Sequence, residues 1–361
     1  MSPFAASLRR EWRLLRSRPR DWAMVSWVPL LAMALMCWIF SAGQPQRLPI
    51  AVWNEDGASP LSRQLVRMLE ATPGFARDVQ RGAGASVALL HNAQLATHSS
   101  LLQRDVRQVV GTLSAGVEMQ ALAKRGTPAR ALQLRVEPIR TQLVALFNVS
   151  TNYEQFLATT LVPALVHILA MTAGAWSVGR ELRDRTLGQW LHGAGGAAAV
   201  LAALLGKLLA PLALLWASAL ACLLYLSQLR GWAVAGSLAW IALGLALLVA
   251  VSLAAGAALA GLTLSLRTAM SGAGLLSAPA FAFSGVGFPL LAMSGSARTW
   301  AEAMPYTHYA RLQIEQWQMG APPAQSLPVV AGLLLATLAL LALATVGLLR
   351  GLRRPERWGA R

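Results

Sequence analysis

The stretch FLATTLVPALVHILAMTAGAWSV, residues 156–178, leads into RELRDRTLGQWL, residues 180–191. The first holds no carboxylate and no permanent cation, and it is long enough to cross a hydrocarbon core about 30 Å thick, which takes roughly 20 apolar residues in a helix. The second opens with Arg180, Glu181, Arg183, Asp184 and Arg185, so one mouth of that span lies in water. Working outward, residues 22–40, 208–226, 232–260, 270–293 and 327–349 repeat the pattern of an apolar run almost free of ionisable side chains. The six runs predict a polytopic α-helical membrane protein: six transmembrane helices in a 1+5 arrangement around one long polar segment. Pro211 and Pro279 lie within apolar runs and leave five or seven crossings as the alternatives. Composition agrees, since 56% hydrophobic residues, 13% charged residues and a mean hydropathy of +0.50 do not suit a chain of 361 residues dissolved in water.

The formal net charge is +16, but the basic residues flank the apolar runs and do not interleave with aromatics, so nucleic acid is not an expected partner. One side of the membrane collects Arg9, Arg10, Arg13, Arg16, Arg18, Arg20, Arg180, Arg183, Arg185, Lys207, Arg267, Arg350, Arg353, Arg354, Arg357 and Arg361. The short loops of the other side hold Arg230, Arg298 and Arg311. By the positive-inside rule both termini are cytosolic. The first run reads as a retained signal anchor, because its apolar length exceeds that of a cleaved signal peptide.

Residues 1–21 place Phe4, Leu8, Trp12 and Leu15 at helical spacing among arginines. This predicts a cytosolic amphipathic helix lying on the leaflet, with Arg9, Arg10, Trp12, Arg13 and Arg16 at the membrane surface and lipids as partners. Residues 22–41 form the first crossing, and 42–152 follow as a small α+β domain. Its strands are expected near 48–53, 86–90 and 132–139, and its helices near 60–69 and 101–124. Residues 153–349 hold the remaining crossings, and 350–361 form a cytosolic basic tail.

Several chemistries are absent. The pair Gly206-Lys207 lacks the upstream glycine and following hydroxyl of a phosphate loop, so ATP has no such site here. His91, His98, His167, His192 and His308 are scattered, and neither a zinc helix nor a nucleophile turn is present. No catalytic residue, metal ligand or bound cofactor is therefore assigned. Cys37 and Cys222 read as small apolar packing residues within spans. His167 lies deep in a span; it reads as a neutral imidazole bonded to a neighbouring helix, with a transport role as the functional alternative.

Two segments carry more than generic membrane chemistry. One is 180–191; the other is FSGVGFPL, residues 283–290, which continues through Trp300 to MPYTHY, residues 304–309, and ends near Gly320. With the 1+5 arrangement, they resemble the type 2 permeases of ATP-binding-cassette exporters, in the subgroup of bacterial drug-efflux-like permeases with a large periplasmic loop. The resemblance covers nearly the whole chain. It implies a periplasmic place for 42–152, a bacterial inner-membrane location, and a coupling helix at 180–192 that docks on a separate ATPase subunit binding ATP and Mg. Arg180, Glu181, Arg183, Asp184, Thr186, Leu187 and Trp190 are the implied coupling residues. A re-entrant helical hairpin at 284–320 is implied as well, with Phe288, Pro289, Pro305, Tyr306, His308 and Tyr309 at an outer gate.

Further implied partners are a second permease copy or a sister permease, and a periplasmic adaptor protein with an outer-membrane channel. Two departures stand out: Arg185 replaces the glycine of the family's coupling segment, and Gly188 its final glutamate. The exposed domain is also shorter than in the subgroup. The function expected is that of a membrane-spanning permease subunit of an ATP-driven exporter, moving an amphipathic, drug-like or lipid-like substrate outward. Its alternatives are a non-transporting membrane scaffold or receptor whose exposed domain binds a partner, and an ion-coupled carrier.

Overall fold

The computed structural model describes residues 2–41, several positions between 104 and 116, residue 152, and residues 154–358. The chain divides into one unit made of Met1–Gly43 and Leu146–Arg361 and a second made of Gln44–Ala145. In the second unit the described residues from Arg104 to Gly116 are helical, as expected for 101–124, and Thr112 donates to the Gln108 carbonyl at 2.8 Å. The strands expected at 48–53, 86–90 and 132–139 and the helix at 60–69 lie outside the described residues.

The first unit is a helical bundle. It opens with α1 (Pro3–Ser17), α2 (Pro19–Val25) and α3 (Trp27–Phe40). Pro3 and Pro19 sit in the first turns, where a missing N–H costs nothing, and the Ser2 side chain accepts from the Ala5 amide. After a single π turn, Glu154–Ala158, comes α4 (Thr159–Arg183), then the short α5 (Leu187–Trp190) and the long α6 (Ala197–Leu224), which ends in a second π turn, Tyr225–Leu229. The rest are α7 (Leu238–Thr263), α8 (Leu266–Ser277), α9 (Ala280–Phe283), α10 (Gly295–Ala303), α11 (Pro305–Trp317) and α12 (Pro323–Leu352).

Among the described residues, five helical segments are long and apolar enough to cross a membrane: Pro19–Phe40, Glu154–Arg183, Ala197–Leu229, Leu238–Thr263 and Pro323–Leu352. The expected run at 270–293 is not a sixth continuous helix. Pro279 has no N–H to give the Leu275 carbonyl, so α8 stops at Ser277, α9 lasts one turn, and bends through Gly285 (φ +85°) follow. Pro211, by contrast, is absorbed inside α6 without breaking it.

The core is centred on α7, which packs against α4 and α12. Small residues set the separation. A Cβ on Gly174 of α4 would meet the Leu253 carbonyl oxygen at 2.1 Å, and one on Gly256 of α7 would meet that of Met171 at 2.0 Å, so the two helices touch backbone to backbone. His167 sits in this contact, buried, with Nδ1 2.7 Å from the Ser252 hydroxyl on α7. That is the interhelical bond read from the sequence. Cys37 of α3 and Cys222 of α6 are free thiols with their sulfurs 3.4 Å apart, closer than a reading as independent packing residues implies.

The N-terminal helix departs from the expected leaflet position along one face. It packs along α6 through a buried seam of Ser7, Glu11 and Leu15, while Leu8 and Trp12 are half-buried at its edge. Gly206 makes this approach possible, because a Cβ there would fall 2.2 Å from the Phe4 carbonyl oxygen. Arg9, Arg13 and Arg16 remain exposed, and the Arg16 guanidinium lies 5.6 Å from the Trp12 ring centre.

Candidate functional site

The end of the bundle that carries the arginine-rich segments holds a cluster of buried charges. Glu11, Asp21, Arg180, Glu181 and Lys207 come from α1, α2, α4, α4 and α6, and they are only 1, 5, 2, 2 and 1% exposed. Charges survive such burial only when they are paired and hydrogen-bonded. Arg180 pairs with Asp21 at 2.7 Å and also with Glu11. The Lys207 ammonium bridges Glu11 at 3.0 Å and Glu181 at 2.8 Å. Arg10 reaches Glu181 at 2.8 Å from the half-exposed edge of α1. Three carboxylates thus meet three cations.

Neutral donors add to the shell. Thr186 donates to Glu181, and the Trp176 indole donates to Asp21 at 3.1 Å. The Trp190 indole donates to Ser7 at 2.8 Å, and its ring lies 4.6 Å from the Lys207 ammonium, a cation–π contact.

The backbone after Glu181 explains how it faces inward while Arg183, Asp184 and Arg185 face outward. α4 ends in a Schellman turn: the Thr186 amide donates to the Glu181 carbonyl at 2.8 Å, and the Arg185 amide donates to that of Leu182 at 3.2 Å. Such a turn places its penultimate residue in the left-handed region, and Arg185 has φ +55°. The position where the resembling family carries glycine is the one whose backbone favours glycine.

The expected coupling helix at 180–192 is therefore not one helix. Arg180, Glu181 and Arg183 belong to the last turn of α4, and Leu187 and Trp190 to α5. Arg180, Glu181, Leu187 and Trp190 are buried within the chain, Thr186 is half-buried, and Arg183 and Asp184 are exposed, with Arg185 and Gln189 beside them. Asp184 accepts from Arg183 at 2.8 Å and from Arg18 at 3.3 Å, and the Arg183 bond in particular holds its carboxyl below the usual carboxylate range. Trp358 near the C-terminal end covers Gly188.

The candidate gate residues separate in the same way. Pro305 starts α11, and Tyr306 and Tyr309 of its first turn are buried; Phe288, Pro289 and His308 are exposed. The Tyr306 hydroxyl donates to the Thr160 carbonyl at 2.7 Å, and its ring centre lies 6.3 Å from that of His167 and 6.4 Å from that of Phe281. His308 instead bonds the Glu302 carbonyl at 2.7 Å on the surface. Among the described residues no hydrogen bond or ring contact joins Phe288 or Pro289 to these residues.

Opposite the charge cluster, at the other end of the bundle, Glu154 is 1% exposed and is gripped by Arg230, whose Nε lies 2.9 Å from Oε1 and whose Nη2 lies 2.9 Å from Oε2. The Trp232 indole adds a third donor at 2.9 Å, and Arg230 also donates to the Ser41 carbonyl at 3.0 Å. This pairing raises the Arg230 pKa. The two chain ends that flank the long inserted segment are held together by one guanidinium.

Sequence reasoning did not nominate Glu11, Asp21 or Lys207 as site residues. The usable signal was Lys207 itself, a lone cation well inside an apolar helix, which requires a counter-ion from elsewhere in the bundle. Comparison with curated proteins and with solved structures returns no match. A family model described as ABC-2 family transporter protein matches residues 72–346. That match spans well over half of the chain, and the chain accordingly belongs to the ABC-2 family, as a multi-pass membrane permease subunit of an ABC transporter.

Proposed function

We propose that the chain is the membrane subunit of an ATP-driven exporter of a bacterial inner membrane, with both termini cytosolic and a separate ATPase subunit binding ATP and Mg. The observation that carries this reading is the position of Glu181. It links α1, α4, α6 and the turn at 184–186 through Arg10, Lys207 and Thr186, directly beneath the exposed Arg183, Asp184, Arg185 and Gln189. A subunit pressing on that surface moves the three helices together, because separating any one strands a buried charge at a cost of about 3–5 kcal/mol. The coupling role then divides between contact residues, Arg183 and Asp184 with Thr186 at their edge, and positioning residues, Arg180, Glu181, Leu187 and Trp190.

Six crossings in a 1+5 arrangement follow if α8 and α9 form one kinked crossing. Residues 266–283 rise about 27 Å as helix, close to the thickness of the hydrocarbon core. α11 rises only about 20 Å and fits a re-entrant segment. Gln316 supports this role: its carbonyl accepts from the Ser237 amide at 3.0 Å and its amide donates to the Ser326 hydroxyl at 3.0 Å. Broken helices are tolerated at membrane depth where protein satisfies their ends in this way. Pro305, Tyr306 and Tyr309 would then form the inner part of an outer gate, and Phe288, Pro289 and His308 its rim. A second copy or sister permease completes the path for an amphipathic, drug-like or lipid-like substrate.

The test is reconstitution with an ABC ATPase subunit co-expressed with this chain. A stable complex with vanadate-sensitive ATP hydrolysis stimulated by substrate is expected. Absence of both the complex and the stimulation contradicts the reading.

A further inference from the structure

A cavity of about 530 Å³ opens at the basic end between the start of α2, the end of α4 and the first turns of α8. Its rim carries Arg18, Arg20 and Arg183, and its floor is Met24, Trp176 and Met270. From this combination we infer a binding site for the phosphate group of an anionic phospholipid of the adjoining leaflet. The inference rests on reading Pro19–Phe40 as a membrane span.

The charge balance of the rim is unmet. Asp21, at the cavity wall, already has its charge matched by Arg180 at 2.7 Å and accepts from the Trp176 indole at 3.1 Å. Asp184 is shared between Arg183 and Arg18, and the two Arg18 nitrogens reach one of its oxygens at 3.3 Å each, which leaves that guanidinium other donors for a ligand. Among the described residues no carboxylate pairs with Arg20. Three guanidiniums therefore share one available carboxylate, and a phosphodiester accepts from such a planar fork.

The apolar half selects a lipid over a soluble anion. The Trp176 face is covered by the Arg183 guanidinium at 5.1 Å, so the cationic rim is built onto an apolar wall. Met24 lies within the span itself, which continues in α3 with Trp27 55% and Leu31 62% exposed. The cavity thus sits where a span begins, at the level of a headgroup, with apolar surface continuing toward the hydrocarbon for the acyl chains.

Native mass spectrometry of the full chain in neutral detergent tests the site. The probes are dioleoylphosphatidylglycerol, dioleoylglycerol, which has the same chains without phosphate, and inorganic phosphate. Saturable retention of the phosphatidylglycerol alone is expected. Arg20→Gln with Arg183→Gln lowers that affinity by about 30-fold, the equivalent of two surface cations. Met270→Trp, which fills the floor and keeps every charge, causes a comparable loss, whereas Arg298→Gln with Arg311→Gln on the exposed faces of α10 and α11 leaves binding within about twofold.

Retention unchanged in Arg20→Gln/Arg183→Gln overturns the site, as do equal loss from the Arg298/Arg311 pair and equal binding of dioleoylglycerol. Inorganic phosphate displacing the lipid at equal affinity assigns the cavity to a soluble anion and also overturns the lipid. No ATPase is present in the assay, so its failure leaves the permease reading untouched.

Discussion

The Lys207 ammonium of α6 lies 2.8 Å from the Glu181 carboxylate of α4, with 1% and 2% of these side chains exposed. The same ammonium reaches Glu11 on α1, so one cation is shared by carboxylates from two other helices. Lys207→Met is expected to cost about 3–5 kcal/mol, because it leaves Glu11 and Glu181 buried with fewer counter-charges. Lys207→Met with Glu181→Gln removes a charge of each sign and recovers part of that loss. Thermal unfolding of the purified variants in detergent checks both outcomes; a double variant less stable than the single one contradicts the pairing.

Arg185 occupies the left-handed position of the turn that ends α4, at φ +55°. A non-glycine residue there carries roughly 1–2 kcal/mol of strain, part of which glycine gives back through its freedom in the unfolded chain. Arg185→Gly should therefore raise the melting temperature slightly, by the equivalent of about 0.5–1 kcal/mol. Arg185→Val should lower it, because a β-branched residue suits that conformation least. The opposite order would mean that this turn is not the one described.

The sulfurs of Cys37 and Cys222, 3.4 Å apart, give a direct check on how α3 lies against α6. Treatment of the purified chain with copper phenanthroline should oxidise the two thiols to one intramolecular disulfide, the oxidant taking two electrons as two protons leave. The readout is loss of both alkylatable thiols without a covalent dimer. Persistence of both thiols, or dimer formation, would contradict the packing of α3 on α6.

At the opposite end, Arg230→Ala strips Glu154 of its charged partner and releases the Ser41 carbonyl. A loss of about 2–3 kcal/mol is expected, together with faster amide exchange in the π turn at Glu154–Ala158. Arg230→Lys restores little of this, since an ammonium cannot match the two-oxygen contact of the guanidinium. Full rescue by lysine would reduce the clasp to a simple charge effect.

These relationships differ in how far the sequence exposes them. Long apolar helices follow from local composition, and 154–183, 238–263 and 323–352 were legible from hydropathy alone. The His167–Ser252 bond was legible in kind, because an imidazole inside hydrocarbon needs a partner, but its partner 85 residues away was not. The break at 279 was legible in the proline and its glycine-rich sequel, yet a similar proline at 211 left α6 intact. Neighbouring helices, which a sequence does not display, decide between the two.

The charge cluster was the least legible feature. Glu11 stands among arginines, and counting charges by loop assigns that region to the leaflet. Its buried role depends on Gly206 letting α1 press against α6, far along the chain. Likewise, the seven candidate coupling residues all fall within residues 180–190, while the turn that ends α4 leaves Arg183 and Asp184 exposed, Thr186 half-buried and the other four buried.

The central claim, that Glu181 passes force from the exposed turn to α1 and α6, is tested most directly by Glu181→Gln in the complex with the ATPase subunit. A monodisperse variant should bind the ATPase as the unaltered chain does, because the proposed contact residues Arg183 and Asp184 are untouched. Substrate stimulation of vanadate-sensitive ATP hydrolysis should fall by about 5- to 150-fold, the range of coupling energies carried between sites. Full stimulation in a complex that contains Glu181→Gln would contradict the account.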